Sequence, residues 1–405
     1  MKHLYIHIPF CERRCSYCDF NTYANLEDRI GPYVDALCAE LAMLEPPPLP
    51  AAPGSNGHAP PLTSAVLRPT IFFGGGTPSM LTLDQFERIL QAASRLVTLD
   101  RAEISIEANP GNVLGDATPA LDYLRGVRSL GINRLSLGVQ TLHDPTLRIL
   151  GRTHSAADAR TCYDTARRAG FDNISLDFIF GLPGQTIAQW HAILDEVAVW
   201  QPDHLSLYSL ILEESTPLYA QVIGGRVSVP DDDVTGAMYE AAMERLAAAG
   251  YEQYEISNWA RSTAAPAPGR VPTHACQHNL AYWLNSDYLA AGAGAHGHVY
   301  PQRYYDMLRV DAYIATVREG RRPIAEVTNL TPTDLYAETV FMGLRLNVGL
   351  NLEHFRLRCG VGLDEVYGDT LADLQAQGLL ERTADSVRLT HQGRMLGNRV
   401  FEAFV

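Results

Sequence analysis

Six short runs rich in β-branched or aromatic residues alternate with longer helical patterns over the first half of the chain. The predicted strands are His3–Ile8, Thr70–Phe73, Glu103–Glu107, Arg134–Val139, Ile174–Ile179 and His204–Leu210. The helical patterns between them, with apolar residues three and four positions apart, are Gly31–Leu44, Leu83–Val97, Pro119–Leu130, Ala156–Ala169 and Ile187–Trp200. This alternation predicts an α/β fold built on a parallel sheet.

The strand patterns favour a barrel over an open doubly wound sheet. In the fourth strand Leu135, Leu137 and Val139 share one face, whereas Ser136, Gly138 and Gln140 share the other. Glu107, Gln140 and Asp177 stand at strand ends, which in an α/β barrel form the rim where ligands bind. Because there are six units rather than eight, we expect a partial (β/α)6 barrel.

Three regions are predicted along the chain. Residues 1–225 form the partial barrel with a proline-rich insertion at 46–68, residues 226–330 form a connecting region, and residues 331–405 form a C-terminal module. A second Ala- and Pro-rich piece, Ser262–Pro272, is expected to be another surface loop.

The C-terminal module is expected to be mainly helical and similar to a winged helix. Its predicted elements are helices at Pro332–Leu344 and Asp364–Gln377, a hairpin of Leu379–Arg382 with Val387–Thr390, and a last helix from His391. Winged-helix domains commonly bind DNA, but this region has seven basic and ten acidic residues. A packing or lid role is therefore favoured over DNA recognition.

Charge and cysteine content narrow the function classes. The 405 residues include 32 Lys and Arg against 46 Asp and Glu, a net charge of −14, which argues against a broad surface for nucleic acid or anionic membranes. Seven cysteines are few for a disulfide scaffold, and no run approaches the roughly 18 apolar residues of a transmembrane segment. We expect a soluble cytoplasmic protein.

Three cysteines, Cys11, Cys15 and Cys18, lie within eight residues directly after the first strand. Three thiolates on one loop can converge on a metal centre, and sulfur ligands favour iron–sulfur clusters, zinc or Cu(I). Zinc would need a fourth Cys or His nearby, and position 20 is Phe. A 4Fe-4S cluster with one open iron is the favoured interpretation, with zinc and three unrelated buried cysteines as alternatives.

The segment Tyr5-Ile-His-Ile-Pro-Phe-Cys11-Glu-Arg-Arg-Cys15-Ser-Tyr-Cys18 resembles the cluster loop of the radical S-adenosylmethionine superfamily. The branch concerned contains oxygen-independent coproporphyrinogen III oxidase and the heme chaperones of the HemW type. The likeness continues through Gly74-Gly-Gly-Thr-Pro78, Ser105-Ile-Glu-Ala-Asn-Pro-Gly111, Leu137-Gly-Val-Gln140 and Asp177-Phe-Ile-Phe-Gly-Leu-Pro-Gly184, and it covers nearly the whole chain. It implies a 4Fe-4S cluster on Cys11, Cys15 and Cys18, with S-adenosylmethionine on the fourth iron.

The same resemblance implies a set of residues that contact S-adenosylmethionine. They are Tyr5, Tyr17, Gly75, Gly76, Thr77, Glu107, Gln140, Arg152 and Asp177. Without the family, a glycine run after a strand would more often only make a turn, and a polar residue there can cap the next helix. A further run of small residues, Gly292–Gly297, receives no specific contact.

Within this branch the chain departs from the oxidase pattern. The oxidases carry a fourth cysteine where Phe20 stands here, and they have a longer stretch before the cluster loop. His278-Asn-Leu-Ala-Tyr-Trp283 matches the His-Asn-x-x-Tyr-Trp motif of the heme chaperones. The resemblance therefore implies a heme chaperone in which His278 ligates heme iron, with Cys276 as a candidate second ligand. The alternative is a structural histidine bonded to its surroundings.

The expected cofactors are thus a 4Fe-4S cluster, S-adenosylmethionine and heme. The expected partners are an acceptor hemoprotein, such as a respiratory one, and an electron donor, with no nucleic acid. No catalytic residue is assigned, and whether the chain is an enzyme stays open. The main alternative is oxygen-independent coproporphyrinogen III dehydrogenase, and a second is a radical enzyme acting on another substrate.

Overall fold

The computed structural model describes residues 2–45, 67–115, 119–263 and 269–405. Its main element is a nine-stranded sheet, numbered here in chain order. The strands are β1 (His3–Ile8), β2 (Thr70–Gly75), β3 (Glu103–Ala108), β4 (Arg134–Gln140), β5 (Ile174–Phe180), β6 (His204–Ser209), β7 (Tyr251–Glu255), β8 (Asn258–Arg261) and β9 (Leu289–Ala291). Their order across the sheet is β9-β1-β2-β3-β4-β5-β6-β8-β7.

Strands β1 to β6 lie side by side in chain order and are all parallel, each followed by a helix or helices. Strand β9 adds a parallel edge beside β1, and β8 and β7 add antiparallel strands beside β6. This order confirms the predicted α/β fold with six parallel units. The stretch from 226 to 330 also contributes three strands to the sheet, so it is part of the barrel wall.

Most of the helices cover the outer face of the sheet, and more than half of them begin at a side-chain cap. Capping boxes start three of them, with Thr82, Ser155 and Thr186 as the capping residues. The helices up to the C-terminal module are Ile30–Met43, Leu83–Ala93, Pro110–Val113, Ala120–Ser129, Asp144–Ile149, Ala156–Arg168, Ile187–Trp200, Pro217–Ile223, Asp232–Ala248, Gln277–Trp283 and Val310–Arg318. Two small sheets complete this part. One pairs Phe10–Cys11 with Tyr23–Ala24, and the other contains the three strands His296–Val299, Gln302–Asp306 and Ile324–Asn329.

The two faces of the parallel sheet differ in chemistry. On β1, Leu4, Ile6 and Ile8 are fully buried in the large hydrophobic core under the helices. The alternate residues His3, Tyr5 and His7 lie on the opposite, inner face, because successive strand side chains point to opposite sides. The inner face therefore collects the polar residues of the strands, and the ligand-binding end of the barrel follows from this pattern.

The C-terminal module has its own hydrophobic core, which includes Val340, Leu344, Phe355 and Leu371. Its elements are helices at Pro332–Leu344, Leu352–Cys359, Leu363–Ala376, His391–Met395 and Gly397–Phe401, and a small sheet of Leu350–Asn351, Ser386–Leu389 and Leu380–Arg382. The predicted helices and hairpin are present, and the structure adds the helix Leu352–Cys359, the helix Gly397–Phe401 and a third short strand to this mainly helical module. The borders between the three regions stay a prediction.

Two sequence expectations fall wholly or partly outside the described residues. The proline-rich insertion includes residues 46–66, and the Ala- and Pro-rich piece includes residues 264–268, neither of which the structure describes. Within the part of the chain that is described, no helix is both long and apolar enough to cross a membrane.

Candidate functional site

The loop that carries the three clustered cysteines is fastened to the barrel by Ser16. Its amide donates to the carbonyl of Leu150 (2.9 Å) and its hydroxyl to the carbonyl of Ile149 (2.8 Å). Its own carbonyl accepts from the amide of Leu218 (2.8 Å). Hydrogen bonds from both sides of the loop thus fix the stretch between Cys15 and Cys18 at the carboxyl end of the strands.

Two side chains from other elements donate to the clustered sulfurs. The hydroxyl of Thr77 lies 3.6 Å from Sγ of Cys11, and Nη1 of Arg152 lies 3.5 Å from Sγ of Cys15. Burial raises the pKa of the Cys11 thiol, and the thiols of Cys18 and Cys15 raise it further by repulsion between their charged forms, while Thr77 lowers it. The three thiols therefore belong to one site, and each donor favours a thiolate.

The arrangement fits an iron–sulfur cluster better than a single ion. Among the described residues, no three His, Cys, Asp or Glu side chains are placed to hold one metal ion. In a 4Fe-4S cluster the three thiolates bind three different irons, so they need not converge on one point. His7, a nearby candidate for a fourth zinc ligand, has its ring nitrogens 3.0 Å from the Tyr5 hydroxyl and 3.0 Å from the carbonyl of Asn21. This disfavours the zinc alternative.

The glycines at the end of β2 and directly after it bring the backbone against the cysteine loop. A Cβ atom at Gly76 would stand 2.5 Å from the carbonyl oxygen of Phe10, so only glycine allows this approach. The amide of Gly76 donates to the carbonyl of Ile8 (2.8 Å), and that of Thr77 to Phe10 (2.7 Å). Gly75 has φ +110° and donates to the carboxyl group of Glu107 (3.2 Å). These residues contact the cysteine loop or lie beside it, and their contact with S-adenosylmethionine stays a prediction.

Two carboxyl groups, Glu107 and Asp177, lie close enough to interact electrostatically. Burial, and then the charge of Asp177, raise the pKa of Glu107 to about 8, although the hydrogen bond from the Gly75 amide opposes the shift. Burial also raises the pKa of Asp177, against hydrogen bonds from Ser136 (2.8 Å) and Ser175 (3.1 Å). A bound cation or hydroxyl donor would offset this repulsion, which suits the sulfonium and ribose groups that the resemblance implies.

Arg152, Tyr17 and Gln140 complete the predicted set. Arg152 donates to the carbonyl of Gly138 (2.6 Å) as well as to Cys15, and its buried Nε has no partner among the described residues. Tyr17 is close to both Cys15 and Arg152, and burial raises its pKa. Gln140 ends β4 with φ +67°, a left-handed conformation that is strained for a residue other than glycine. The structure thus brings these residues to the same rim as the cysteines.

A central cavity of about 360 Å³ opens beside this rim. Of the predicted residues, Tyr5, Gly75 and Glu107 line it. Several other wall residues were not predicted from the sequence; they are His7, Asn21, Tyr288, Gly294 and His296. The period-two pattern of β1 could have indicated His7, which shares a face with Tyr5. Gly294 and His296 belong to the small-residue run that had received no contact, so that run forms part of the wall.

The helix Gln277–Trp283 carries the His-Asn-x-x-Tyr-Trp motif and packs against the inner face of the barrel. Its N-terminus meets the buried Glu103 at the start of β3, which accepts from the amide of Gln277 (2.8 Å). A carboxylate at a helix N-terminus is stabilising, because it accepts hydrogen bonds from the free amides and is attracted to the positive end of the helix dipole. At the other end of the helix, Tyr282 lines the central cavity.

His278 is 1% exposed and both of its ring nitrogens have partners. Nδ1 lies 2.6 Å from the hydroxyl of Thr70, and Nε2 lies 2.9 Å from the hydroxyl of Tyr282. The ring also stacks on Phe72, with centroids 5.1 Å apart. Burial lowers the pKa of His278 well below its ordinary value, so the ring is neutral. Ligation of heme iron by His278 stays a prediction, and it would require one of these bonds to break.

Cys276, the candidate second ligand, is also buried. Its sulfur lies 3.6 Å from a carboxyl oxygen of Glu103, and burial raises its pKa to about 12. The thiol is therefore protonated in this conformation.

Two family models and several known proteins match this chain. The family model described as the radical SAM superfamily matches residues 65–197, which include the glycines after β2, Glu107, Gln140, Arg152 and Asp177. The HemN C-terminal domain matches residues 330–396. The chain is also 36% identical over 407 residues to the heme chaperone HemW of Bacillus subtilis, with 100% of this chain and 99% of that protein covered. The chain belongs to the HemW heme chaperone family.

Other relatives extend this family relationship. The chain is 33% identical to heme chaperone HemW of Lactococcus lactis, covering 99% of this chain and 96% of that protein. It is 34% identical to the mitochondrial radical S-adenosyl methionine domain-containing protein 1 of Danio rerio, covering 93% and 80%. The solved coproporphyrinogen III oxidase of Escherichia coli superposes with a TM-score of 0.77 at 23% identity, covering 99% of this chain and 89% of that one. That likeness shows the fold alone, and together with the radical SAM family model it confirms the predicted fold class.

Proposed function

We propose that this chain is a heme chaperone that binds heme and a 4Fe-4S cluster with S-adenosylmethionine, and that it passes the heme to an acceptor hemoprotein in the cytoplasm. The observation that carries the proposal is the position of the motif helix Gln277–Trp283, whose Tyr282 lines the central cavity together with Tyr5 and Glu107. One cavity thus joins the motif of the heme chaperones to the residues proposed for S-adenosylmethionine.

The proposed cluster ligands are Cys11, Cys15 and Cys18. A bound cluster would supply the electron that reductively cleaves S-adenosylmethionine in this superfamily. The chain's own contribution is to hold the cysteine loop through Ser16, to donate to the sulfurs from Thr77 and Arg152, and to accept hydrogen bonds at Glu107 and Asp177. Hydrogen bonds to the sulfurs and burial are features by which proteins set the reduction potential of such clusters.

The alternative is oxygen-independent coproporphyrinogen III dehydrogenase, which shares the fold. Against it, the fourth cysteine of the oxidase loop is replaced by Phe20, whose side chain is 64% exposed. The loop of this chain therefore carries three cysteines and departs from the oxidase pattern. We therefore propose the chaperone as the function of this chain, with an acceptor such as a respiratory hemoprotein and an external electron donor.

One reconstituted sample can distinguish the two functions. The protein is loaded with iron and sulfide under anaerobic conditions, then divided between a hemin-binding assay and a turnover assay with S-adenosylmethionine, a reductant and coproporphyrinogen III. The proposal expects retained heme and no protoporphyrinogen. Protoporphyrinogen formed over many turnovers would contradict the chaperone and establish the dehydrogenase.

A further inference from the structure

A second cavity, of about 250 Å³, shares Tyr282 and Tyr288 with the central cavity. Its wall also includes Trp283 of the motif helix and Met342 of the C-terminal module. Flat aromatic rings and a thioether on several sides favour a planar ligand.

Tyr288, His298 and Arg303 lie side by side at the wall of this cavity. His298 and Arg303 belong to the small antiparallel sheet that contains the strands His296–Val299 and Gln302–Asp306. Tyr288 and His298 pair through reciprocal backbone hydrogen bonds of 2.7 and 3.0 Å, and their rings stack with centroids 6.0 Å apart. His298 is in turn directly opposite Arg303 on the neighbouring antiparallel strand. Side chains of directly opposite residues project from the same face of a sheet. His298 and Arg303 are therefore adjacent at the cavity wall.

The C-terminal module fixes the state of the His298 ring. Nη2 of Arg358 lies 3.2 Å from Nε2 of His298 and 2.7 Å from a carboxylate oxygen of Asp287. Since guanidinium only donates, Nε2 of His298 is the acceptor. Burial, and then the charge of Arg358, lowers the pKa of His298 to about 4, so the ring is neutral and its proton is on Nδ1.

That Nδ1–H has no acceptor among the described residues, although His298 is only 2% exposed. The buried Nε1–H of Trp283 likewise lacks a partner in the described part of the chain. Arg303 adds a guanidinium that is paired with Glu338 (2.9 Å) and has further N–H groups to offer. Residues that line the cavity therefore carry N–H donors without an acceptor in the described part of the chain, beside aromatic rings, and this combination suits a planar molecule with anionic groups.

We propose that this second cavity binds the carboxylate-bearing edge of a planar tetrapyrrole, with His298 and Arg303 donating to the carboxylate and Tyr288 and Trp283 lying along the ring. The inference rests on the proposed function and names the polar end of its heme site. A cavity of about 250 Å³ holds an edge of a macrocycle rather than all of it. The rest of the ligand stays accessible, as transfer to an acceptor requires.

The test compares tetrapyrroles with and without free carboxylates. Hemin and hemin dimethyl ester are titrated into the anaerobically reconstituted full chain, its His298→Phe variant and a matched His391→Phe variant at an exposed position. Phenylalanine keeps a flat ring but removes the N–H donor. We expect His298→Phe to weaken hemin binding by roughly ten-fold or more, the worth of a charge-assisted hydrogen bond. The ester should bind the native chain and this variant equally, and His391→Phe should match the native chain.

Several outcomes would overturn the inference. Equal native affinities for hemin and its ester would show that no carboxylate is recognised. Equal losses for both ligands in His298→Phe would show a structural effect only. If that variant fails to fold by thermal unfolding or cluster content, Arg303→Gln at a partly exposed position replaces it, with the same expectation. Failure of the native chain to bind any tetrapyrrole would instead refute the proposed function itself.

Discussion

Nδ1 of His278 lies 2.6 Å from the hydroxyl of Thr70, although 208 residues separate them in the chain. This bond ties the motif helix to the start of β2, and Phe72 on the same strand stacks against the ring. The histidine of the motif is thus part of the barrel interior. In the described conformation His278 has a structural role, because both ring nitrogens are hydrogen-bonded and the ring is stacked. To ligate heme iron, the ring would have to break one of these hydrogen bonds.

We predict that His278→Ala lowers the free energy of unfolding by about 2–4 kcal/mol, because a buried ring and two hydrogen bonds are lost. Urea titration measures this change, with the exposed His391→Ala as the control, for which the change should stay near zero. A stability unchanged in His278→Ala, together with abolished heme binding, would instead identify a direct ligand with no structural share.

Cys15→Ser should abolish the cluster, since three thiolates are the minimum set for three irons. Bound iron, acid-labile sulfide and the visible absorption of the reconstituted protein are the readouts. Cys38→Ser is the matched control, because Cys38 lies in the first helix, apart from the cysteine loop. Full iron and sulfide in Cys15→Ser would reject the assignment of this loop.

Arg152→Gln should leave the cluster in place but shift its reduction potential to a more negative value, on the order of tens of millivolts. The reason is that the variant removes a positive charge and an N–H donor 3.5 Å from Sγ of Cys15. Redox titration followed by electron paramagnetic resonance measures the shift. An unaltered potential would mean that Arg152 does not contact the ligand sulfur when the cluster is bound.

Glu107 makes the protein without bound ligand less stable as pH rises. The folded-state pKa of Glu107 is raised to about 8, above its value in the unfolded chain, so the unfolded state releases the proton first. Stability should therefore fall by up to about 1.4 kcal/mol per pH unit between roughly pH 5 and 8. Glu107→Gln should flatten this slope in unfolding measurements across that range. Parallel pH profiles for the two proteins would contradict the buried carboxyl group as the cause.

Gly76→Ala should destabilise the protein by about 1–3 kcal/mol and lower cluster occupancy. The added Cβ would stand 2.5 Å from the carbonyl oxygen of Phe10, the residue directly before Cys11. Gly31→Ala is the control, because nothing lies within 4 Å of its added Cβ. Thermal unfolding and iron content report the two effects, and equal values for both variants would contradict the close approach.

The sequence predicted the parts of the fold that local patterns determine. The bounds of His3–Ile8 and Ile187–Trp200 agree with the structure, because period-two alternation and a capping box define them. Strand β2 extends to Gly75 rather than Phe73, since the glycines still pair with β1 before the chain turns. The predicted helix Leu83–Val97 ends earlier, at Ala93, although Leu96 and Val97 still pack into the core.

The spacing of the cysteines and the polar residues at the strand ends predicted part of the site, and the resemblance named the rest. The row of Tyr288, His298 and Arg303 depends on strand pairing between separate segments, which no local pattern reveals. Likewise, the burial of His278 follows from Thr70 and Phe72, which are distant in the chain. Contacts of this kind require the tertiary structure.

The most direct test of the heme site is a titration of the anaerobically reconstituted native chain with hemin, followed by Soret absorbance and gel filtration. We expect about one heme per chain to elute with the protein while the cluster absorption is unchanged, because the cysteine loop and the motif helix are separate segments. Hemin that elutes apart from a fully cluster-loaded protein would contradict the proposed heme site.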